Sequence, residues 1–397
     1  MISLEMIYDA QRVIRDVARL TPMSSAPKFG ENIYIKAENL QLTGSFKLRG
    51  AYYKIHNLTS EEKSRGVVAC SAGNHAQGVA LSATREGIES IIYMPSGAPL
   101  SKIEATKNYG AKVMLVPGVY DDAYAEASKL VEEKGYIFAH PFNDERVIAG
   151  QGTIGLEILS QLPEVDVVVV PIGGGGLISG VAYAIKSIKP ECKVIGVQAA
   201  GAPSMYESRL KGEISELESV FTIADGIAVK KPGNITFEMC QKYVDDIVTV
   251  NDDEIATAIL ALMEGQKTVA EGAGATTVAA VMFHKIDVKD KKVVCIVSGG
   301  NIDVSILSRV ITRGLNKTGR ISEITTKVMD KPGQLINLLQ VISETGANII
   351  SVNHERGDKK SEVNSCIVKM LLETKNLEHV MDIKKALITK GYEIFND

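Results

Sequence analysis

The sequence predicts an α/β protein built on parallel sheets, followed by a smaller α+β domain. Short runs rich in valine and isoleucine alternate with helical patterns through most of the chain. That alternation is typical of βα units, whose parallel sheet is covered by helices on both faces. Beyond Gly319 the pattern changes to strands that alternate in polarity. We therefore divide the chain into residues 1–318 and 319–397.

Six apolar runs are the predicted strands of the parallel sheets. Each is short and rich in β-branched residues, and helical patterns lie between them, as expected for buried parallel strands. The predicted strands are Gly66–Cys70, Glu89–Met94, Lys112–Val116, Val165–Pro171, Lys193–Val197 and Lys292–Val297.

The C-terminal region follows the order βαββαβ, which predicts a ferredoxin-like fold. The turn that opens its first helix reads Asp330-Lys331-Pro332-Gly333-Gln334, and the helix carries Leu335, Leu338, Leu339 and Ile342 on one face. The second helix is expected at 377–389. The predicted strands are 321–328, 346–352, 366–372 and 391–395.

Composition and charge argue against several classes of function. The chain has 397 residues, more than one hydrophobic core usually supports, and its 45% hydrophobic content is ordinary for a globular protein. Its net charge of −4, without a basic block, argues against nucleic acid or an anionic membrane surface as a partner. The five scattered cysteines are interpreted as free thiols of a reducing compartment, so we expect a cytoplasmic protein.

Two segments could be mistaken for a targeting signal or a membrane span. The sequence argues against both interpretations. Residues 1–20 carry charges among their apolar positions, which predicts an amphipathic helix and not a signal peptide. Residues 167–185 are uncharged, but Pro171 and four consecutive glycines interrupt them. A strand, a loop and a helix are the better interpretation.

Four glycine-rich or amide-rich loops precede helical patterns. Three of them follow short apolar runs, and the first follows a polar turn. In an open α/β sheet such loops gather at the carboxyl ends of the strands, where ligands bind. Together they offer a lysine amine, an anion cradle, amide donors and a small hydroxyl, which is the set that pyridoxal phosphate needs. The loops are Gly44–Gly50, Ser71–Ala76, Gly173–Leu177 and Ser298–Asn301.

In this order the four loops resemble those of the fold type II pyridoxal-phosphate enzymes, and within that group the threonine dehydratases with a C-terminal ACT domain. The resemblance covers nearly the whole chain. It implies a two-lobed, tryptophan synthase β-like catalytic domain over 1–318, with a small mobile lobe at roughly 50–150, and an ACT regulatory domain over 319–397. The implied reaction converts L-threonine to 2-oxobutanoate and ammonia, and L-serine to pyruvate in the same way.

The resemblance assigns a role to each residue around the cofactor. Lys47 would bind pyridoxal phosphate and remove the α-proton of the substrate, with Phe46 packed on the pyridine ring. Ser298 would face the ring nitrogen, where a hydroxyl leaves the ring neutral and favours loss of the β-hydroxyl over transamination. Asn74 would reach the phenolic oxygen, and Glu271 would line the same cleft.

The third loop is the expected phosphate site. Backbone N–H groups and the positive end of the following helix would hold the anion, since no lysine or arginine lies in the loop. A dinucleotide site is the alternative, but the G-x-G-x-x-G pattern would need glycine at Ile178 or Ser179, and no acid follows Val197-Gln198. The expected phosphate ligands are Gly173, Gly174, Gly175, Gly176 and Leu177.

The second loop resembles the one that captures the substrate carboxylate. His75 within it is interpreted as a packed side chain and not as an acid or base. Phe142 would close over the substrate, and Gly226, next to Asp225, would line the cleft. The expected substrate-binding residues are therefore Ser71, Ala72, Gly73, Asn74, His75, Phe142 and Gly226.

Two rival functions remain as alternatives. A serine racemase would carry a second serine where Ala72 stands and, in eukaryotes, metal-binding carboxylates where Gln198 and Ser204 stand. We therefore expect no metal in this site. A non-catalytic amino-acid sensor is the other rival, but the intact Lys47 and Ser298 argue against an emptied site.

The C-terminal domain is expected to regulate and not to catalyse, because the four loops all lie before it. Isoleucine or valine is the effector that the resemblance implies, bound where two ACT domains meet in a homodimer or homotetramer. The free amides of a turn before a helix suit the carboxylate of such a ligand. The candidate effector residues are Asp330, Gly333, Gln334 and Asn348.

Overall fold

The computed structural model describes residues 2–356 and 364–395. The chain forms two compact units, an N-terminal unit, Met1–Ile306, and a C-terminal unit, Leu307–Asp397. The division falls inside the helix Val304–Lys317, whereas the boundary expected from the sequence follows the end of that helix. Within the described ranges, every helix is too short or too polar to cross a membrane.

Strands and helices alternate through the N-terminal unit. The strands are β1 (Met23–Ser25), β2 (Ile33–Ala37), β3 (Val67–Cys70), β4 (Ser90–Pro95), β5 (Lys112–Val116), β6 (Ile137–Phe138), β7 (Val167–Pro171), β8 (Lys193–Ala199), β9 (Asp246–Val250) and β10 (Val293–Val297). The helices are α1 (Leu4–Ile14), α2 (Lys47–His56), α3 (Ser60–Arg65), α4 (Asn74–Arg85), α5 (Leu100–Asn108), α6 (Tyr120–Lys134), α7 (Glu145–Gln161), α8 (Gly176–Ile188), α9 (Ser204–Lys211), α10 (Asn234–Tyr243), α11 (Asp252–Gln266) and α12 (Gly272–Met282). Helix α13 (Val304–Lys317) begins in this unit, and most of its residues belong to the C-terminal unit.

The larger sheet of this unit has the strand order β1-β2-β10-β7-β8-β9. Only β1 runs antiparallel to its neighbour, and the other pairs are parallel. All five residues of β7 and of β10 are buried, because helices cover both faces of the sheet. The carboxyl ends of β2, β10 and β7 lie side by side, so the segments that follow them begin at the same edge.

The smaller sheet is parallel and has the order β5-β4-β3-β6. Together with its helices it forms what we call the small lobe. Helix α7 does not belong to it, since Ile154 and Ile158 pack in the same core as Val168 and Val170 of the larger sheet. The small lobe therefore ends before α7, slightly earlier than the range of 50–150 expected from the sequence.

A buried cluster of four charged side chains lies beneath the start of helix α2. Arg49 donates to Glu38 through Nε and Nη2, both at 2.8 Å, and to Glu157 through Nη1 at 2.6 Å. Lys36 donates to Glu157 at 2.5 Å and to the carbonyl of Thr21 at 2.8 Å. Two cations face two anions, which makes their burial tolerable. The cluster ties α2 to β2 and α7.

The C-terminal unit has the predicted βαββαβ order. Its elements are β11 (Ile321–Met329), α14 (Gln334–Glu344), β12 (Asn348–Arg356), β13 (Ser365–Glu373), α15 (Leu377–Thr389) and β14 (Glu393–Phe395). The strands form an antiparallel sheet in the order β12-β13-β11-β14. Leu338 and Ile342 of α14 and Ile383 and Leu387 of α15 are buried in one core with the sheet.

The fold class predicted from the sequence is confirmed. All six predicted strands of the parallel sheets form, and Lys112–Val116 has the predicted bounds. Residues 167–188 form a strand, a loop and a helix, and an amphipathic helix occupies Leu4–Ile14 near the N-terminus. The short strands β1 and β6, and also β2 and β9, were not predicted.

Candidate active site

Lys47 is the first residue of helix α2, in the N-terminal unit. Its Nζ donates to the carbonyl of Pro141 at 2.9 Å and lies 5.3 Å from the centre of the Phe46 ring. Burial lowers the pKa of the Lys47 amine to about 8, although the carboxylate of Glu271 acts in the opposite direction. A substantial part of the amine is therefore neutral at mildly alkaline pH, which a nucleophile or a base requires.

The segment before Lys47 pairs with the loop that follows β10. Ser45 forms an antiparallel bridge with Gly299, and the backbone N–H of Phe46 donates to the carbonyl of Ser298 at 3.0 Å. This pairing brings two of the predicted loops together, although they are far apart in sequence. Ser298 is buried, and its carbonyl contacts the backbone of Phe46.

Asn74, Glu271 and Asn301 form a hydrogen-bonded chain. Asn74 Nδ2 donates to Glu271 Oε1 at 2.7 Å, and Asn301 Nδ2 donates to Asn74 Oδ1 at 2.7 Å. Burial, reinforced by the nearby Asp225, raises the pKa of Glu271 to about 7. A side chain on Gly226 would lie 3.3 Å from Glu271 Oε1, so this glycine lines the same place.

The loop after β3 turns at Ser71 and enters helix α4 at Asn74. The N–H of Gly73 donates to Ser71 Oγ at 3.3 Å, and a Cβ on Gly73 would meet no heavy atom within 4 Å. The loop from Ser71 to Asn74, with Ala72, is only partly buried, so its amides remain accessible to an anion.

His75, in contrast, is buried. Its Nε2 lies 2.7 Å from the carbonyl of Ala139, and burial lowers the pKa of the imidazole to about 3. The ring is therefore neutral at ordinary pH and is held by a core carbonyl. This geometry favours a packing role over contact with a substrate.

The four glycines after β7 form the amino end of helix α8. Gly175 has a φ of +96°, a left-handed conformation that favours glycine, and it immediately precedes the helix. A Cβ on Gly174 would lie 2.4 Å from the ring of Phe142, so a side chain cannot be accommodated there. Gly173 and Gly176 complete the loop, while Leu177 is buried in the core of the larger sheet.

These groups fit pyridoxal phosphate. The glycine loop offers N–H groups at the positive end of a thirteen-residue helix, which suits a phosphate. Lys47 offers an amine of lowered pKa for the aldehyde, and Asn74 and Ser298 offer an amide and a hydroxyl for the ring substituents. All of these groups lie in the N-terminal unit.

Comparison with known proteins agrees with this assignment. Residues 14–299 match the model of the family of pyridoxal-phosphate dependent enzymes. The chain belongs to this family. It is 55% identical to the L-threonine ammonia-lyase of Thermotoga maritima, over 99% of both chains.

Two solved structures of the family are also similar. The threonine deaminase isoform 2 of Solanum lycopersicum is 42% identical, with a TM-score of 0.74, over 78% of this chain and 92% of its own. Maize serine racemase is 36% identical, with a TM-score of 0.75, over 79% of this chain and 98% of its own. The fold type II architecture and the pyridoxal-phosphate dependence expected from the sequence are confirmed.

Two features of this pyridoxal-phosphate site were not predicted. His140 Nδ1 accepts from the N–H groups of Phe142 and Asn143, at 3.2 and 2.8 Å, and its partly buried ring packs edge to face on Phe142. Burial and the charge of Lys47 lower the pKa of His140 to about 4. The neutral imidazole can therefore accept both hydrogen bonds, and it holds the backbone at Phe142 in place. The sequence contains a signal for the role of His140, because this residue lies two positions before Phe142, which was expected in the site.

An ion pair between Lys102 and Asp225 is the second unpredicted feature. Lys102 belongs to helix α5 of the small lobe, and Asp225 opens a 3-10 turn that leads to Gly226. The pair therefore links the small lobe to a residue beside Glu271. No local pattern predicts it, because 123 positions separate the partners.

The candidate effector residues lie in the C-terminal unit at two separate places. Asp330, Gly333 and Gln334 belong to the turn between β11 and α14, and Arg356 pairs with Asp330 at 2.8 Å. Asn348 begins β12, opposite Glu373, to which its Nδ2 donates at 3.2 Å. The sheet register places Asn348 at the opposite end from Asp330. A single chain therefore does not bring these four residues together.

Proposed function

We propose that this chain is an L-threonine ammonia-lyase, which converts L-threonine to 2-oxobutanoate and ammonia. The observation that carries the proposal is the amine of Lys47, with a pKa lowered to about 8, beside Phe46 and Glu271. The similarity to the Thermotoga maritima enzyme over nearly the full length of both chains supports the substrate. L-serine, which also carries a β-hydroxyl, is a second substrate and would give pyruvate.

The residues of the chain would bind the amino acid and move its protons. Bound pyridoxal phosphate supplies an electron sink for negative charge at the substrate α-carbon. The neutral amine of Lys47 would take the α-proton, since its lowered pKa matches the working pH of a general base. The amides between Ser71 and Asn74, in a loop that is only partly buried, would orient the carboxylate.

Two other residues would hold the cofactor ring in the state that favours elimination. Ser298 would place a hydroxyl, and no carboxylate, at the ring nitrogen. Asn74 would contact the phenolic oxygen while its amide stays fixed by Glu271 and Asn301. Both assignments rest on the position of these residues around Phe46 and Lys47.

Specific residues favour the lyase over a serine racemase. Ala72 has no hydroxyl that could return a proton to the substrate. The Gln198 amide is already used by the backbone, since its Oε1 accepts from Tyr206 N–H at 2.7 Å and its Nε2 faces the carbonyls of Ile172 and Ala202. This position therefore offers no carboxylate to a divalent cation.

The assignment is tested by measuring release of 2-oxo acid from L-threonine and L-serine. Lys47→Ala should lose at least about 10²- to 10⁴-fold in turnover, because the covalent amine and the base are removed together. Lys129→Ala, on an exposed face of α6, is the matched control and should retain full activity. Substantial turnover by Lys47→Ala, or conversion of L-serine mainly to D-serine by the wild type, would refute the proposal.

The C-terminal unit is proposed to be an ACT domain that regulates the enzyme. Its turn at Asp330–Gln334 presents amides at the start of α14, and isoleucine or valine is the proposed ligand. Since Asn348 lies at the far end of the sheet, it would join this turn only from a second copy. A homodimer or homotetramer would supply that copy. The buried, unpaired cysteines suit a cytoplasmic enzyme.

A chain that ends near Thr318 tests this division of roles. Maize serine racemase aligns over 98% of its own chain with only 79% of this one, which supports a catalytic unit that does not need the remainder. The shortened chain should keep threonine dehydration, lose its response to isoleucine and valine, and show a smaller assembly by light scattering. A truncated protein that still responds fully would contradict the regulatory role.

A further inference from the structure

Three side chains that commonly bind metals meet at one end of the C-terminal sheet. They are Asp330, His354 and Cys366, and one ligand atom from each lies within 4.8 Å of the other two. His354 Nε2 is 2.7 Å from Cys366 Sγ, which is short for a contact with sulfur. The cluster is outside the active site, and none of its members has a role in the proposed reaction.

The sheet register explains why these residues meet. Cys366, near the start of β13, pairs with Val328 of β11 on one side and with Arg356 of β12 on the other. His354 precedes Arg356 by two positions, so both point to the same face of the strand. Asp330 directly follows the end of β11. Three adjacent strands therefore deliver one donor each to the same place.

We propose that Asp330, His354 and Cys366 form a binding site for a divalent cation of the zinc class. A thiolate, an imidazole nitrogen and a carboxylate oxygen are the three ligand types that zinc uses in proteins. Three protein ligands leave a fourth tetrahedral position for water. The thiol must release its proton to solvent when the metal–sulfur bond forms, so binding is coupled to loss of one proton.

The surroundings of the site are compatible with this assignment. Asp330 and His354 are exposed whereas Cys366 is buried, so a cation would enter from the solvent side and meet the sulfur last. Arg356 contacts both carboxylate oxygens of Asp330, at 2.8 and 2.9 Å. A carboxylate oxygen has a second lone pair, and such outer contacts commonly orient metal-binding carboxylates.

The positive charge of Arg356 opposes a bound cation, and the thiolate compensates for it. Once the thiol has released its proton to the incoming metal, Asp330 and the Cys366 thiolate are both anionic, so together with Arg356 they present a net charge of −1 to the cation. A buried thiol is therefore the essential partner in this cluster, and removal of either His354 or Cys366 should abolish tight binding. The proposal does not depend on the lyase activity, since all the ligands belong to the C-terminal unit.

The test uses Co²⁺ as the probe, added alone to the full-length protein with its cofactor bound. We expect one equivalent of Co²⁺ per chain and a thiolate-to-cobalt charge-transfer band in the near ultraviolet, measured as a difference spectrum. His354→Asn changes an exposed residue, so the fold should persist while affinity falls by more than about tenfold. Cys366→Ser should remove the charge-transfer band.

Cys192→Ser, which changes a buried cysteine of the N-terminal unit, is the matched control and should keep both the band and the stoichiometry. Circular dichroism and thermal unfolding establish that each variant is folded. Absence of the band in the wild type at millimolar Co²⁺ would overturn the proposal. An unchanged band in folded His354→Asn or Cys366→Ser would overturn it equally.

Discussion

Asn74 and Glu271 are joined by a hydrogen bond of 2.7 Å, from Asn74 Nδ2 to Glu271 Oε1. Asn74 is the first residue of α4 in the small lobe, while Glu271 immediately precedes α12, which packs on the larger sheet. The bond therefore connects the two halves of the active site. It also holds a buried carboxyl next to the Lys47 amine, so the protonation of Glu271 affects both stability and the charge around the cofactor.

Glu271→Gln should make the stability of the cofactor-free protein less dependent on pH. Burial raises the pKa of Glu271 from 4.5 to about 7, so the native state retains a proton that the unfolded chain has released. The free energy of unfolding therefore falls as pH rises through this window. When the pH is raised from 5 to 8, the free energy of unfolding of the variant should therefore increase relative to that of the wild type by on the order of 2–3 kcal/mol.

This difference is measured by denaturant unfolding of the N-terminal unit's transition at both pH values. Gln at this position can still accept from Asn74, so any constant offset between the proteins cancels in the comparison. Glu238→Gln, on the exposed face of α10, should show no such pH-dependent gain. Parallel pH profiles for wild type and Glu271→Gln would contradict the proposed protonation.

Gly174→Ala should weaken binding of pyridoxal phosphate. The new Cβ would lie 2.4 Å from the Phe142 ring, and the loop would have to move. Overpacking of this kind costs about 1–3 kcal/mol, so the dissociation constant should rise roughly ten- to hundredfold. Titration of the cofactor-free protein by absorbance measures it. Gly97→Ala, whose Cβ would meet no heavy atom within 4 Å, should bind normally.

The sequence predicts the site best where it is built from local patterns. The glycine loop after β7 and the loop after β3 each follow a buried strand, and βα topology fixes the edge at which both lie. The roles expected for Lys47, Asn74 and Ser298 around one ligand come from the family resemblance of the four loops and stay predictions. The order of strands, in contrast, depends on long-range pairing, and β2 was missed because Lys36 interrupts its apolar pattern.

Relationships between distant charges were beyond the reach of the sequence. Lys36 and Arg49 would be taken for solvated charges, yet they are buried because Glu38 and Glu157 come to them from other elements. In the C-terminal unit, Asp330 and Asn348 were expected in one effector site. Within one chain the antiparallel register places them at opposite ends of the sheet, since Asp330 follows the end of β11 whereas Asn348 pairs with Glu373, which also pairs with the first residue of β11.

Lys102→Met should raise the KM for L-threonine and leave kcat nearly unchanged. The Lys102–Asp225 pair links the small lobe to the residue before Gly226, so its loss favours a more open site. Asp225 is largely exposed, and such pairs contribute about 0.2–1 kcal/mol, which corresponds to an increase of roughly one and a half- to fivefold. Steady-state kinetics at low and high salt should show the effect shrinking as salt is added.

Lys107→Met is the control for this experiment, because Lys107 lies on the same helix and pairs only along it, with Glu104. Its KM should match that of the wild type. An unchanged KM in Lys102→Met, or an equal rise in both variants, would show that the pair does not influence substrate binding.

Arg49→Met should destabilise the N-terminal unit strongly. Arg49 is buried and donates to Glu38 and Glu157. Its removal takes the hydrogen-bonded cation away from Glu38, while Lys36 still pairs with Glu157. Removing one partner of a buried ion pair lowers the free energy of unfolding by about 3–5 kcal/mol. The thermal midpoint should fall by roughly 5–10 °C. Arg65→Met, which breaks an exposed pair with Glu61, should change it little.

Arg49→Lys separates the role of charge from that of geometry. The lysine keeps the positive charge but cannot make the paired contacts of the guanidinium with two carboxylates, so its midpoint should lie between those of Arg49→Met and the wild type. Because Arg49 and Lys47 share the first turn of α2, a loosened cluster should also shift the absorbance of the cofactor that we propose binds at Lys47. A stable Arg49→Met protein with an unchanged cofactor spectrum would show that the cluster neither supports the fold nor positions Lys47.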